Sequence, residues 1–251
     1  MDHLEAFLNF TEQSPTAFHA IANLKAKLMK HGFRELREKD PWMADGGGKY
    51  FVTRNDSALI ALTVPRTGFA PFRIGAAHSD SPTFKLKPRF EDAAGDAYVR
   101  LNVEKYGGML CAPWMDRPLS VAGRVVVETE GGGPDGPASM IETRLVNIER
   151  DLLIIPSLAI HMNREANEGF RWNAQTDLLP LFAQAGPPPG ASAAPRDVEL
   201  AAAPADVELA AAPADAGSAP KGRRLSAGRA GLAGDHESVP GRFLALIARE
   251  A

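Results

Sequence analysis

Leu4, Phe7 and Leu8 recur at helical spacing behind Asp2, which predicts a short amphipathic helix over residues 2–12. Ser14-Pro15 then reads as an N-cap followed by proline at the first helical position. Phe18, Ile21, Leu24 and Leu28 carry the next helix's apolar face until Gly32 closes it. From residue 46 the period shortens. GGGKYFVTRNDSALIALTVP reads as a hairpin that turns at Arg54-Asn55-Asp56-Ser57. FRIGAAH, ending at His78, is a mostly apolar run of the kind that suits a strand buried on both faces. TFKLKP sets Phe84 and Leu86 against Lys85 and Lys87, the alternation of a half-buried strand. Two helices and then a sheet make residues 1–88 the opening part of an α/β domain.

Residues 89–185 have another texture. In AYVRLNVEKY, Val99, Leu101 and Val103 alternate with Arg100, Asn102 and Glu104. SVAGRVVVETE and ETRLVNIER follow, separated by the turn GGGPDGP, and then comes LLIIPSLAIHMNRE. Strands without intervening helices predict a β-rich subdomain inserted into the α/β one. Residues 186–238 read as a low-complexity, disordered insertion, because the Pro/Ala-rich stretch offers no face to bury. It contains the nine-residue sequence DVELAAAPA twice in tandem. Residues 239–251 end the chain with Phe243, Leu244 and Ile247 at helical spacing, a helix expected to return to the α/β domain.

Composition narrows the partners. The chain has 251 residues, 45% hydrophobic and 24% charged, with a net charge of −3. That balance gives no electrostatic case for nucleic acid or an anionic membrane. A single cysteine, Cys111, excludes an intrachain disulfide and fits a cytoplasmic setting. The acid-bearing N-terminus is not a signal peptide, and no apolar run approaches the roughly 18 residues that span a bilayer.

The candidate chemistry begins at His78-Ser79-Asp80. A histidine at a strand end sits where α/β proteins bind ligands, and a carboxylate two residues on can fix its tautomer and orientation. The pair is either half of a metal site or a polar turn in which Ser79 and Ser81 make turn bonds. Tyr106-Gly107-Gly108 allows close backbone approach, and Trp114 stands beside Asp116-Arg117, read as a structural turn with an ion pair. Cys111 has no histidine nearby to activate it. His161 and Asn163 alternate onto one face of a possible strand, as polar surface or as a substrate contact. His19 lies off its helix's apolar face and reads as solvated, and Asp235-His236-Glu237 reads as surface.

SPTAFHA, AAHSDSP, YGGMLCAPWMDRPLSVAGRV, IPSLAIHMNR and NEGFRWNAQTDLLPLF occur in the order seen in the M18 family of zinc aminopeptidases, and the chain resembles that family over roughly residues 3–184. The resemblance implies a zinc-exopeptidase-like α/β catalytic domain, incomplete here, with an inserted β-rich dimerisation domain. It implies two zinc ions in the complete enzyme, a peptide substrate losing an acidic or neutral N-terminal residue, and a homo-oligomer built through the β-rich domain. By motif His78 would be a zinc ligand, Asp80 the catalytic carboxylate that orients it, and His161 the residue that reaches substrate in a neighbouring subunit.

The family's remaining ligands lie downstream of the matched motifs, and after residue 186 this chain has no Glu-Glu pair and no bridging aspartate motif. One histidine with its orienting carboxylate falls short of the three or more protein ligands of a hydrolytic zinc. The inventory therefore fits an aminopeptidase chain lacking most metal ligands, an inactive relative serving as an assembly or regulatory subunit, or the product of a damaged reading frame. An α/β half so shortened is expected to leave an unpaired sheet edge and exposed apolar surface.

Overall fold

The computed structural model describes residues 2–68, 71–94, 98–130, 139–184, 206–211 and 242–250. Helix α1 (His3–Glu12) leads into α2 (Ala17–Lys30). The N-cap of α2 is Thr16, not Ser14: the Thr16 backbone is extended, at φ −132° and ψ 166°, and its hydroxyl accepts from the His19 N–H. Ser14 instead accepts a hydrogen bond from Asn23. His19 is half-buried rather than solvated, its Nδ1 lying 2.8 Å from Thr16 Oγ1, and burial holds its imidazole below the ordinary value of 6.5. Gly32, at φ 81°, closes the helix as predicted.

A small sheet follows, with β1 (Arg34–Glu35) parallel to β2 (Lys49–Arg54) and β2 antiparallel to β3 (Ala58–Thr63). The predicted hairpin forms in register, with Asn55 and Asp56 both at φ 51° in the turn. Tyr50, Phe51 and Val52 are buried, whereas β3 is an edge strand carrying Ile60 at 67% exposure. Leu4, Phe7 and Leu8, the apolar face of α1, are also exposed.

FRIGAAH does not form the expected buried strand. Residues 71–78 are irregular and exposed, Phe72 at 79% and Ile74 at 85%. An apolar run buried on both faces needs a strand beside it and a layer above and below. Among the described residues neither is supplied: the small sheet ends at β3.

The second sheet comprises β4 (Thr83–Ala94), β5 (Tyr98–Tyr106), β6 (Leu119–Glu130), β7 (Ser139–Asn147), β8 (Leu181–Gln184) and β9 (Asp206–Ala211), in the order β7-β6-β9-β4-β5-β8. All its pairings are antiparallel. The predicted alternation of β5 holds, with Val99, Leu101 and Val103 buried. Leu101 and Val103 join Phe84, Leu119, Val121, Ile155 and Leu178 in the main core. β4 begins at Thr83, so this sheet starts before the boundary expected at 88/89. The turn GGGPDGP lies outside the described residues.

Three readings change here. Residues 186–238 are not wholly without structure, since Asp206–Ala211 is a strand held on both edges; the rest of that stretch, Asp235-His236-Glu237 included, lies outside the described residues. The stretch after Leu152 makes only isolated bridges at Leu153, Ile154 and Ile155, and a short helix α3 (Ala166–Gly169) follows. The C-terminal helix α4 (Arg242–Glu250) forms as predicted but packs on the large sheet, not on the N-terminal unit. Its fully buried Phe243 meets Phe90 and Phe182, and Glu91 accepts from its backbone N–H at 2.9 Å. No helix among the described residues is long and apolar enough to cross a membrane.

Candidate metal site at the junction of the two sheets

The loop from Ala77 to Pro82 runs between the hairpin turn of the small sheet and the end of β5 in the large one. Ser79 Oγ donates to the Ser57 carbonyl at 2.8 Å, tying the loop to the hairpin. β4 starts with Thr83 opposite Tyr106, so the three residues before it fold back along the end of β5. Gly107, at φ 77°, turns the chain away behind Tyr106, against Pro82. The Lys85 ammonium lies 4.0 Å from the centre of the Tyr106 ring, a cation–π contact across the pair of strands.

This scaffold brings together two of the residues singled out in the sequence. His78 Nδ1 lies 3.0 Å from Asp80 Oδ1 and 2.8 Å from the Asp80 carbonyl oxygen. Nδ1–H donation to Asp80 fixes the tautomer and leaves Nε2 as a lone-pair donor on a side chain that is 82% exposed. The other carboxylate oxygen, Oδ2, accepts from the Tyr106 hydroxyl at 2.5 Å. That bond is the largest cause holding the Asp80 carboxyl below its ordinary 3.8, and its own backbone and His78 act in the same direction against burial.

Tyr106 is the member that sequence reasoning missed as a site residue. Only its neighbouring glycines drew notice, and its partner lies 26 positions away. The signal was available in part: a tyrosine closing an alternating strand just before a Gly-Gly turn.

The remaining candidates stand elsewhere. His161 lies in an exposed turn at 160–162, not on a strand, and makes none of the contacts that hold the His78–Asp80 pair. Asn163 is half-buried beside that turn. Asp116, at φ 56°, accepts from the Ser157 N–H at 2.8 Å, and Arg117 reaches the Pro113 carbonyl, so the two serve the turn without forming the expected ion pair. Hydrogen bonding to Ser157 holds the Asp116 carboxyl below its ordinary value. Cys111 is buried in the core, 3.8 Å from Lys105 Nζ.

Among the described residues no three His, Cys, Asp or Glu side chains gather as a metal cluster. His78 and Asp80 therefore make a ligand with its orienting partner, but they do not by themselves fit a zinc ion.

A family model described as aminopeptidase I zinc metalloprotease (M18) matches residues 10–198. A Clostridium acetobutylicum protein named "Probable M18 family aminopeptidase 2" is 46% identical over 185 residues, covering 72% of this chain and 41% of the relative. A protein of the same name from Pseudomonas aeruginosa is 45% identical, with 73% and 41% covered. The chain thus spans about two fifths of the length of these relatives. Among solved structures, a chain of the Ape4 and Nbr1 complex is 34% identical with TM-score 0.67, covering 83% of this chain and 43% of that one. Chaetomium thermophilum mApe1 is 28% identical with TM-score 0.64, covering 83% and 50%. A chain of the Saccharomyces cerevisiae mApe1 dodecamer is 30% identical with TM-score 0.56, covering 72% and 38%.

Proposed function

The chain belongs to the M18 family of zinc metalloproteases, and from that membership we propose that it carries the His78–Asp80 part of an aminopeptidase site that releases acidic or neutral N-terminal residues from peptides. The observation that carries this reading is the geometry of the pair: Nδ1 engaged by Asp80, Asp80 braced by Tyr106, and Nε2 presented outward. In that role His78 is a zinc ligand and Asp80 sets its orientation and basicity. The family is one of zinc enzymes, and the proposed complete site holds two ions. Bound zinc would supply Lewis acidity toward a peptide carbonyl. The donors described here are too few to hold it, so further ligands must come from beyond the described residues or from another subunit.

Exposure of His161 in a surface turn supports the role of reaching a substrate in a neighbouring subunit of a homo-oligomer built through the β-rich sheet. A relative that forms a dodecamer points the same way. By this reading the protein is cytoplasmic, and its described residues hold only part of the site.

The short ligand inventory favours a second reading, an inactive relative that assembles with or regulates a complete subunit. Hydrolysis of Asp-, Glu- and Leu-anilides by the purified chain, with zinc or cobalt added, separates the two. Turnover that chelation and His78→Ala both abolish is the result expected of the first. A folded chain without turnover removes it and leaves the assembly role.

A further inference from the structure

Residues 151–155 meet β8 at an isolated antiparallel bridge, where Ile154 and Leu181 exchange backbone hydrogen bonds of 3.3 and 2.9 Å. A ladder continued from that bridge would set Leu153 opposite Phe182 and Asp151 opposite Gln184. It does not continue. The N–H groups of Leu152 and Leu153 both donate to the Leu119 carbonyl at 3.0 Å, drawing this stretch toward β6, while Ala183 and Gln184 stay paired with β5. Between the two diverging stretches lies an open groove of about 580 Å³.

The groove is apolar along its length and acidic at both ends. Leu152, Leu181 and Phe182 line it half-buried, and Tyr98 and Ile154 are exposed beside them. Asp151 stands at the start of the 151–155 stretch. Asp116 is fixed at its far end: its N–H donates to the Ile155 carbonyl at 2.9 Å, and its Oδ1 accepts from the Ser157 N–H. Six residues of extended chain set the separation of the two ends at no more than about 20 Å. Among the described residues no lysine, arginine or histidine lines the groove. Arginines near it in sequence are engaged elsewhere, Arg117 with the Pro113 carbonyl, Arg150 with Glu250 and Arg100 with Asp92.

We propose that this groove is a docking site for an extended peptide segment with an apolar centre and a cationic side chain at each end. Its walls are two extended stretches that part from a common bridge, the setting in which a further extended chain lies alongside a sheet edge. Alternate side chains of the segment then face the apolar lining. Each terminal cation meets one carboxylate. An exposed ion pair is worth at most about fivefold in affinity, so apolar contact supplies most of the binding and the charges select sequence and register. The groove is distinct from the His78–Asp80 pair: Tyr98 and Tyr106 stand at opposite ends of β5, roughly 25 Å apart.

The test uses the full chain, isotope-labelled for NMR, and two synthetic peptides blocked by acetyl and amide groups, so that neither is an aminopeptidase substrate. Both have valine-leucine-valine at the centre; one carries lysine at each end and the other glutamate. The lysine peptide is expected to shift the backbone amides of Ile154, Phe182 and Ala183 saturably, and to bind at least tenfold tighter than the glutamate peptide. Asp151→Asn is expected to weaken it about two- to threefold, and Asp151→Asn with Asp116→Asn about three- to tenfold, with the His78 imidazole resonances unmoved.

No saturable shift at millimolar peptide, equal binding of the two peptides, shifts centred elsewhere in the chain, or full affinity in both variants would overturn the proposal. Hexylammonium binding as tightly as the lysine peptide would also overturn it, because the groove would then hold a cation with an alkyl tail and not a chain. Dimers in sedimentation that broaden the same amides and resist the lysine peptide would give the face to a second copy instead.

Discussion

Phe243→Ala is the substitution that best tests where the C-terminal helix belongs. Phe243 is fully buried, its ring centre 5.6 Å from that of Phe90 and 5.3 Å from that of Phe182. Truncating such a phenylalanine costs about 3–5 kcal/mol in transfer and cavity terms. A nine-residue helix has little stability of its own, so α4 persists only while docked. Its anchors are Phe243, Ile247 at 4% exposure, the charge-assisted bond to Glu91, and an exposed Arg150–Glu250 pair contributing under about 1 kcal/mol.

Burying the two side chains is worth about 2–3 kcal/mol each, and ordering the helix takes back much of that. Losing Phe243 therefore removes most of the docking energy at once. The expected outcome is a loss of about 3 kcal/mol for Phe243→Ala in urea unfolding, with Ile247→Ala adding no more than about 1 kcal/mol on top. Phe90→Ala and Phe243→Ala should couple by about 0.5–1.5 kcal/mol, the range of an aromatic pair beyond its area. Additive effects in both cycles would refute docking on the large sheet, since a helix resting on residues 1–88 has no reason to couple to Phe90.

Tyr106→Phe removes the largest cause of the low Asp80 pKa, so the carboxyl should titrate closer to 3.8 when followed by carbon NMR; an unmoved Asp80 would mean that the Tyr106 bond is not formed in solution. Because the folded pKa lies below the unfolded one, whatever stability Asp80 contributes is present above 3.8 and disappears as pH falls through the depressed value. Burial depresses His19 as well, so folding favours its neutral form: stability should fall as pH drops from 6.5 toward the folded value, and His19→Gln should flatten that slope in pH-dependent urea midpoints. Thr16→Ala should cost about 1 kcal/mol through the lost cap of α2, whereas Ser14→Ala should cost less, and equal losses would contradict the cap assignment.

The parts of this fold that were legible in the sequence are those whose signals are local. The β2–β3 hairpin follows from apolar runs flanking Asn55-Asp56, two residues that tolerate positive φ. β5 follows from strict alternation, and α4 from Phe243 and Ile247 on one face. What escaped depended on remote partners. FRIGAAH has the composition of a buried strand, but composition states a capacity for burial and not the presence of a neighbouring strand. β9 hid in the opposite way. Its Asp-Val-Glu-Leu alternation is that of a strand, yet alanines and prolines around it mimic a linker, and only the gap between β4 and β6 gives it something to pair with.

The site obeys the same rule. His78 and Asp80 are two residues apart and readable together, but their geometry is set from both sheets. Ser79 is tied to the hairpin turn at Ser57, and Asp80 to the end of β5 at Tyr106. A further strut crosses the junction: Arg124 of β6 donates to Asn55 in the same hairpin turn, with its guanidinium 4.2 Å from the centre of the Phe18 ring in α2. Any displacement of the hairpin relative to the large sheet must therefore pull the loop at Ser79 while Tyr106 holds it at Asp80. The orientation of His78 is thus a property of the junction as a whole. An exposed imidazole with one engaged nitrogen becomes a defined ligand only as far as those struts keep the two sheets in place.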